Sequence, residues 1–181
     1  MEFRKITTDN LAIASKVQNE IFPMEDGTEN FIECIEKNPY RKEMDYYLVY
    51  VGNVPMGVTG IYSYHEYPED AWLAWFGVLP NFRNQGYGGL IFDWTVLLAK
   101  EKGYQSLRLY SDETFRDAHQ LYKKKRMISE VYDNPEDKDP YEPKGLITYI
   151  FSMSLTDKKI CYWNHKKLGL KEQGIKEHFE K

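Results

Sequence analysis

The chain has 181 residues, 42% hydrophobic and 29% charged, with a net charge of −4 and a sequence pI near 5.6. That balance excludes a wholly disordered chain and leaves room for one domain with a full core, while the weakly acidic charge argues against a coat for nucleic acid or anionic membrane. No run approaches the about 18 apolar residues of a membrane helix, and the charged start, Glu2, Arg4 and Lys5, resembles no signal peptide, so a cytoplasmic protein is expected.

Phe3 to Ile6 reads as a short strand. Thr8 or Asp9 can cap a helix running to Phe22, with Leu11, Ile13, Ala14, Val17 and Ile21 on its apolar side. Pro23 ends it. A second helix begins at Thr28, carries Phe31, Ile32 and Ile35, and stops before Pro39. Tyr46–Val51 and Met56–Tyr64 flank Gly52-Asn53 and predict a hairpin. After the polar loop His65–Asp70, Trp72–Val78 is apolar on both faces, which suits a strand in the middle of a sheet.

Pro80–Gly89 is a turn rich in Gly and Asn. Leu90–Lys102 has helical spacing with Leu90, Ile91, Trp94, Leu97 and Leu98 as its expected core face, closed by Gly103. Leu107, Leu109 and Ser111 alternate with Arg108 and Tyr110 in a strand. Phe115–Lys125 reads as a helix, and Ile128–Tyr132 and Leu146–Leu155 as strands. Between those strands, Asp133–Lys144 is rich in Pro, Asp and Glu and is expected to be an exposed loop. The stretch from Thr156 onward is polar, with a helical segment expected over Lys166–Phe179, interrupted by Gly169 and Gly174.

The order β-α-α-β-β-β-α-β-α-β-β predicts a mixed α/β fold, a sheet with helices on its faces. Cys34 and Cys161 form no CxxC pair and suggest no metal site. The aromatic cluster from Tyr62 to Phe76 can line a ligand cleft or pack across strands; both readings stay open.

The informative segment runs from Phe76 to Gly89, between a strand and a helix. The first amides of a helix have no partners within it and carry the positive end of its dipole. Gly86, Gly88 and Gly89 let the backbone approach a ligand closely, and Arg83 adds a permanent positive charge. Together they make a phosphate cradle. A P-loop needs Lys-Ser or Lys-Thr after its last glycine, where Leu90-Ile91 stand. A dinucleotide fingerprint needs a third glycine where Ile91 stands.

What remains resembles the acyl-CoA signature of the GNAT superfamily of N-acetyltransferases. A strand ends in Val-x-Pro, followed by Arg or Gln, two residues, Gly, one residue, and Gly or Ala opening a helix. Val78, Pro80, Arg83, Gly86 and Gly88 match it. Downstream, Ala118, Leu121 and Tyr122 match the family's Asn-x-x-Ala-x-x-Leu-Tyr, although Phe115 stands at the Asn position and Arg126-Met127 replaces the usual Gly-Phe. The resemblance implies a central, mostly antiparallel sheet of about six to seven strands flanked by helices, spanning residues 1–155, with 156–181 as a C-terminal extension.

It also implies acetyl-CoA as co-substrate, with no metal. Phe76, Gly77 and Val78 would lie along the thioester and pantetheine. Arg83, Asn84, Gln85, Gly86, Tyr87, Gly88 and Gly89 would hold the pyrophosphate, and Phe115, Ala118 and Tyr122 would complete the cofactor contacts. The Phe76 N–H would stabilise the oxyanion, and Tyr122 would protonate the departing thiolate. The usual base, a glutamate four residues before the oxyanion amide, is Trp72 here. Glu66 is the candidate substitute, with His65, Glu69 and Asp70 beside it. Glu25, Asp26, Glu29 and Glu66 could attract a cationic amine, and the acidic loop Glu136–Glu142 could border the site. Family analogy leaves a homodimer open, and a catalytically weak acyl-CoA sensor on the same fold is the competing reading.

Overall fold

The computed structural model describes residues 1–36, 38–39, 41–137 and 145–169. Its elements are β1 (Glu2–Lys5), α1 (Leu11–Ile21), α2 (Gly27–Glu36), β2 (Arg41–Val51), β3 (Val54–Tyr64), β4 (Asp70–Val78), a 3₁₀ turn (Pro80–Phe82), α3 (Tyr87–Glu101), β5 (Ser106–Asp112), α4 (Arg116–Lys124), β6 (Ile128–Val131) and β7 (Thr148–Ser154). The seven strands run in the order β1-β2-β3-β4-β5-β7-β6. The fold is the expected mixed α/β sheet, mostly antiparallel, with four α-helices among the described residues. β5 is shared by two compact units. Met1–Leu107 with Ser154–Asp157 forms one; the chain from Arg108 to Met153 and onward from Lys158 forms the other.

In the first unit, β1 to β4 pair antiparallel in sequence. Strand alternation sends Leu48 and Val49 to opposite faces. Leu48 joins Ile6, Ala14, Val17, Phe31, Tyr46, Tyr50 and Val58 beneath α1 and α2. Val49 joins Met56 and Ile91 beneath α3. The helix ends differ from the expected ones. Asn10, not Thr8 or Asp9, precedes α1, and its side chain ties the strand to the helix: Oδ1 accepts from Thr7 N–H and Nδ2 donates to the Lys5 carbonyl, both at 2.9 Å. Asp26 caps α2, its Oδ1 accepting the N–H groups of Thr28 (2.8 Å) and Glu29 (3.2 Å).

The core face of α3 is also rotated from the expected one. Ile91, Phe92, Thr95 and Ala99 are buried, whereas Leu90 and Leu97 are 53% and 56% exposed. The leucine spacing misled because a polar residue occupies the buried stripe. Thr95 can be buried because its hydroxyl donates to the Ile91 carbonyl at 2.9 Å and meets Thr59 Oγ1 at 2.8 Å. Trp94 stacks on Phe3 at 3.8 Å.

In the second unit, β6 pairs with β7 antiparallel, and α4 lays Tyr122 and His119 on Phe151. Arg108, which alternation placed opposite the apolar face of its strand, is buried. Its Nη1 donates to Ser152 Oγ (2.8 Å) and to the Cys161 carbonyl (3.0 Å), and its guanidinium lies 5.3 Å from the Trp163 ring. The polar stretch after Thr156 thus supplies two fully buried side chains, Trp163 and Leu168. The 133–144 loop is likewise not exposed throughout, because Asp137 is buried. Residues 138–144 of that loop and 170–179 of the expected helix lie outside the described residues; 166–169 are not helical.

Candidate functional site

The site begins with an irregularity in β4. Gly60 pairs with Ala74 and Val58 with Gly77, so three steps on β4 face two on β3. The extra residue is a β-bulge, and Trp75 takes it up with φ of 49°. The consequence is visible in the packing. Ala74 and Trp75, neighbours in sequence, both pack with the α1–α2 cluster, while Phe76 and Val78 pack with the α3 cluster. A positive φ at a bulky residue persists only where the surroundings over-determine it. Here Phe22 meets the Trp75 ring edge-on at 5.9 Å, and Gly77 lets α1 press in: a Cβ on Gly77 would lie 2.4 Å from Ile21 Cγ2.

Beyond the bulge the chain turns into α3. Leu79 N–H donates back to the Met56 carbonyl (2.9 Å), Phe82 N–H to Leu79 (2.9 Å) and Arg83 N–H to Pro80 (3.1 Å). The Arg83 side chain folds onto the end of β4, Nε donating to the Val78 carbonyl at 3.0 Å, and Gln85 Nε2 donates to the Asn81 carbonyl at 2.9 Å. These bonds fix the turn from the inside. Asn84 and Gly86 then adopt left-handed conformations, φ 59° and 85°. Among the described residues, the first amide of α3 to find a backbone acceptor is Leu90, bonded to the Gly86 carbonyl at 3.3 Å. The N–H groups of Tyr87, Gly88 and Gly89 therefore stand ahead of the helical ladder. A Cβ at Gly86 would meet nothing within 4 Å. The helix start presents backbone donors with a guanidinium anchored beside it, an arrangement suited to a diphosphate.

Phe76, Gly77, Val78 and Arg83 to Gly89 thus follow one another along one continuous junction. Glu66 is exposed in the loop before β4, and the six residue steps from Asp70 to Phe76 span about 20 Å of strand. Nearby, Asp70 accepts from Ser106 Oγ, and the Glu69 carbonyl takes the N–H groups of Gln105 (2.9 Å) and Ser106 (3.4 Å). Both belong to the scaffold. Trp72 is fully buried with Tyr62 and Tyr64, so the aromatic cluster is packed across strands. Glu25, Asp26 and Glu29 are exposed.

In the second unit, Phe115 is the exposed residue before α4, Ala118 is half-buried and Tyr122 is buried. Burial pushes the Tyr122 phenol well above its ordinary range, so it stays protonated at neutral pH. Sequence reasoning missed His119, one turn before Tyr122, whose Nε2 lies 3.1 Å from Ser111 Oγ. Its i, i+3 spacing from Tyr122 was the available signal. Desolvation, then the Lys123 charge, holds its imidazole below the usual range, against the opposing pull of Asp112.

Residues 11–126 match the model of the acetyltransferase (GNAT) family. An acetyltransferase of the GNAT family from Desulfovibrio desulfuricans superposes with a TM-score of 0.70 at 15% identity, over 86% of this chain and 99% of its own. The ribosomal-protein-S18-alanine N-acetyltransferase of Escherichia coli gives 0.67 at 12% identity, over 90% of this chain and 99% of its own. A GNAT family acetyltransferase from Elizabethkingia anophelis, solved with acetyl-CoA bound, gives 0.65 at 19%, over 84% and 97%. At these identities the likeness is one of fold. No curated protein matches by sequence.

Proposed function

This chain belongs to the GNAT family of acetyltransferases, and from that premise we propose that it transfers the acetyl group of acetyl-CoA to a primary amine of a small molecule or peptide by direct attack, in the cytoplasm. The observation that carries the reading is the open donor array at the start of α3, set beside Arg83, with open space where a Gly86 Cβ would stand. Acetyl-CoA would supply the activated thioester. The N–H groups from Gln85 to Gly89 and the Arg83 guanidinium would hold its diphosphate, and the backbone of Phe76, Gly77 and Val78 would run beside its pantetheine. Phe115 and Ala118 would complete the cofactor contacts.

The Phe76 N–H would donate to the oxygen that gains charge as the amine attacks; such a donor contributes about 3–4 kcal/mol. The bulge at Trp75 supports this role, because it turns Phe76 out of the regular ladder of β3 and β4. Tyr122 would give its proton to the leaving sulfur. A phenol held neutral by burial is in the right protonation state at every physiological pH.

Two measurements test the reading. Acetyl-CoA at 100 times its Kd should stabilise the protein by about 2.7 kcal/mol in thermal unfolding; no stabilisation sinks the cofactor site. Free-thiol release with spermidine, free lysine, kanamycin and an alanine-initiated peptide should then identify the acceptor class. Binding without thiol release on any amine would favour the acyl-CoA sensor, a reading that Trp72 at the usual base position keeps in play.

A further inference from the structure

Each outer strand of a sheet presents a row of backbone groups without a neighbouring strand. β1 is such a strand. It pairs with β2 on one side, and among the described residues no strand lies on its other side. Ladder alternation decides which groups look outward. The Ile6 N–H donates to the Tyr46 carbonyl at 2.8 Å, in step with the pairing of Arg4 with Leu48 and Glu2 with Tyr50. Arg4 and Glu2 therefore direct their N–H and C=O groups at β2, and Phe3 and Lys5 direct theirs at the outer edge. The Lys5 carbonyl already accepts from Asn10 Nδ2 at 2.9 Å, which leaves the outer edge centred on Phe3.

The side chains of this short strand sort by face. Glu2 and Arg4 are exposed on one face. Arg4 donates to Glu2 through Nε (2.7 Å) and Nη2 (2.9 Å), and its guanidinium lies 4.1 Å from the Tyr50 ring. Phe3 is on the other face, half-buried and stacked on Trp94 at 3.8 Å. Lys5 is on that face too, paired with Asp45.

We infer that the outer edge of β1 docks on the same edge of a second copy of this chain, antiparallel, about a two-fold axis at Phe3. Antiparallel strands related by a two-fold axis keep like faces on one side, so a residue of the strand sits on the axis and its neighbours pair across it. A register centred on Glu2, Arg4 or Lys5 sets that charge against its own copy, which is destabilising. The register centred on Phe3 sets Glu2 of each copy opposite Arg4 of the other. It also lets each Phe3 N–H donate to the Phe3 carbonyl of the other copy, and it brings the two Phe3–Trp94 stacks side by side. The charges that keep β1 from joining unrelated strand edges thus select its own copy. The inference is independent of the acyl-transfer reading.

Sedimentation equilibrium of the full chain from about 1 μM to about 1 mM covers the range of weak dimers. Wild type should pass from monomer to dimer across it. Glu2→Arg and Arg4→Glu each turn both cross-strand pairs repulsive and should each weaken the dimer about tenfold or more. Mixed in equal amounts, the two variants should pair as tightly as wild type, because both cross-strand pairs are then opposite in sign. The double variant Glu2→Arg/Arg4→Glu should dimerise by itself. Recovery in the mixture separates lost charge pairing from a lost strand, since a variant with an unfolded β1 could not recover. Amide exchange reads the register: the Phe3 N–H should slow about tenfold or more between the two ends of the concentration range, while the Arg4 N–H, already directed at β2, should hold its rate. A wild type that stays monomeric throughout overturns the inference, as does a dimer that both single variants leave unchanged. A mixture of the two variants that fails to pair, or a Phe3 N–H that exchanges equally fast in the dimer, overturns it as well.

Discussion

Two places in this molecule gather backbone N–H groups at a turn, and they differ in what fills them. At the start of α3 the N–H groups from Tyr87 to Gly89 stand ahead of the helical ladder, and among the described residues no side chain caps the helix. In the second unit the same kind of array is closed by the chain's own carboxylates. Glu130 accepts the N–H groups of Trp163 (2.5 Å) and Asn164 (2.8 Å). Asp137 Oδ2 accepts those of Leu168 and Gly169 (3.1 Å) and the Tyr132 hydroxyl (2.6 Å). Consecutive left-handed residues, Asn164 and His165, turn the segment so that its amides converge. A donor array satisfied from within is a structural clasp. One left open at a helix start, with a cation beside it, is a place for an anion from outside.

The largest effect should come from emptying the clasp. Asp137→Ala leaves two amides and a phenol without their buried acceptor, and hydrogen bonds to a charged group contribute more than neutral ones. A loss of about 3–5 kcal/mol in urea unfolding is expected. Acetyl-CoA affinity at fixed folded fraction should stay within twofold. A loss below about 1 kcal/mol would mean that water replaces the carboxylate and that the clasp is not structural.

The cradle should answer in the opposite way. Gly86→Glu puts a carboxylate where a diphosphate is proposed to bind, so acetyl-CoA affinity should fall at least a hundredfold, about 3 kcal/mol. Stability should fall by only about 1 kcal/mol, the cost of a side chain at a φ of 85° with open space around it. Gly86→Ala measures that strain alone. Isothermal titration of both variants checks the pair. Unchanged affinity in Gly86→Glu would make the turn a helix cap and nothing more.

The difference between these regions also explains what could be read in the sequence. The cradle is a local object. Gly86, Gly88, Pro80 and Arg83 lie within nine residues, and their spacing alone dictates a turn of outward amides before a helix. The succession of strands and helices along the chain follows from periodicity in the same way. The clasp's carboxylates and amides lie 31 to 34 residues apart in sequence, Asp137 bonding Leu168 and Gly169, and Glu130 bonding Trp163 and Asn164. Each of its acids, taken singly, looks like a solvated surface charge. The β4 bulge had no signal either, because nothing in Ala74-Trp75-Phe76 marks a positive φ. The core face of α3 was misjudged because the Thr59–Thr95 hydroxyl pair comes from two elements. What was legible was what neighbours in sequence decide; what was missed needed partners that only the fold supplies.

A third carboxylate, held by cations instead of amides, gives the smallest and most pH-sensitive test. Asp45 of β2 is buried and pairs with Lys5 and Lys102; Lys102 also pairs with Glu43. Burial alone would raise the Asp45 carboxyl, but the two ammonium groups outweigh it and hold it below the ordinary carboxylate range. Glu43 is lowered by the same balance, with the Tyr104 hydroxyl assisting at 2.6 Å. A lowered folded-state value means the unfolded chain binds protons first as pH falls. The stabilisation is therefore complete above about pH 4–5 and is lost as pH drops through the folded value. Lys5 is 56% exposed and Lys102 24%, so solvent screens the pairs, and Asp45→Asn should cost about 1–2 kcal/mol at pH 7. The gap between Asp45→Asn and wild type should close in urea titrations as pH falls through the lowered folded value of Asp45, below which both carry a neutral side chain. A gap that persists there would assign the loss to packing, and the ammonium pairs would then contribute nothing that the clasp's amides do not.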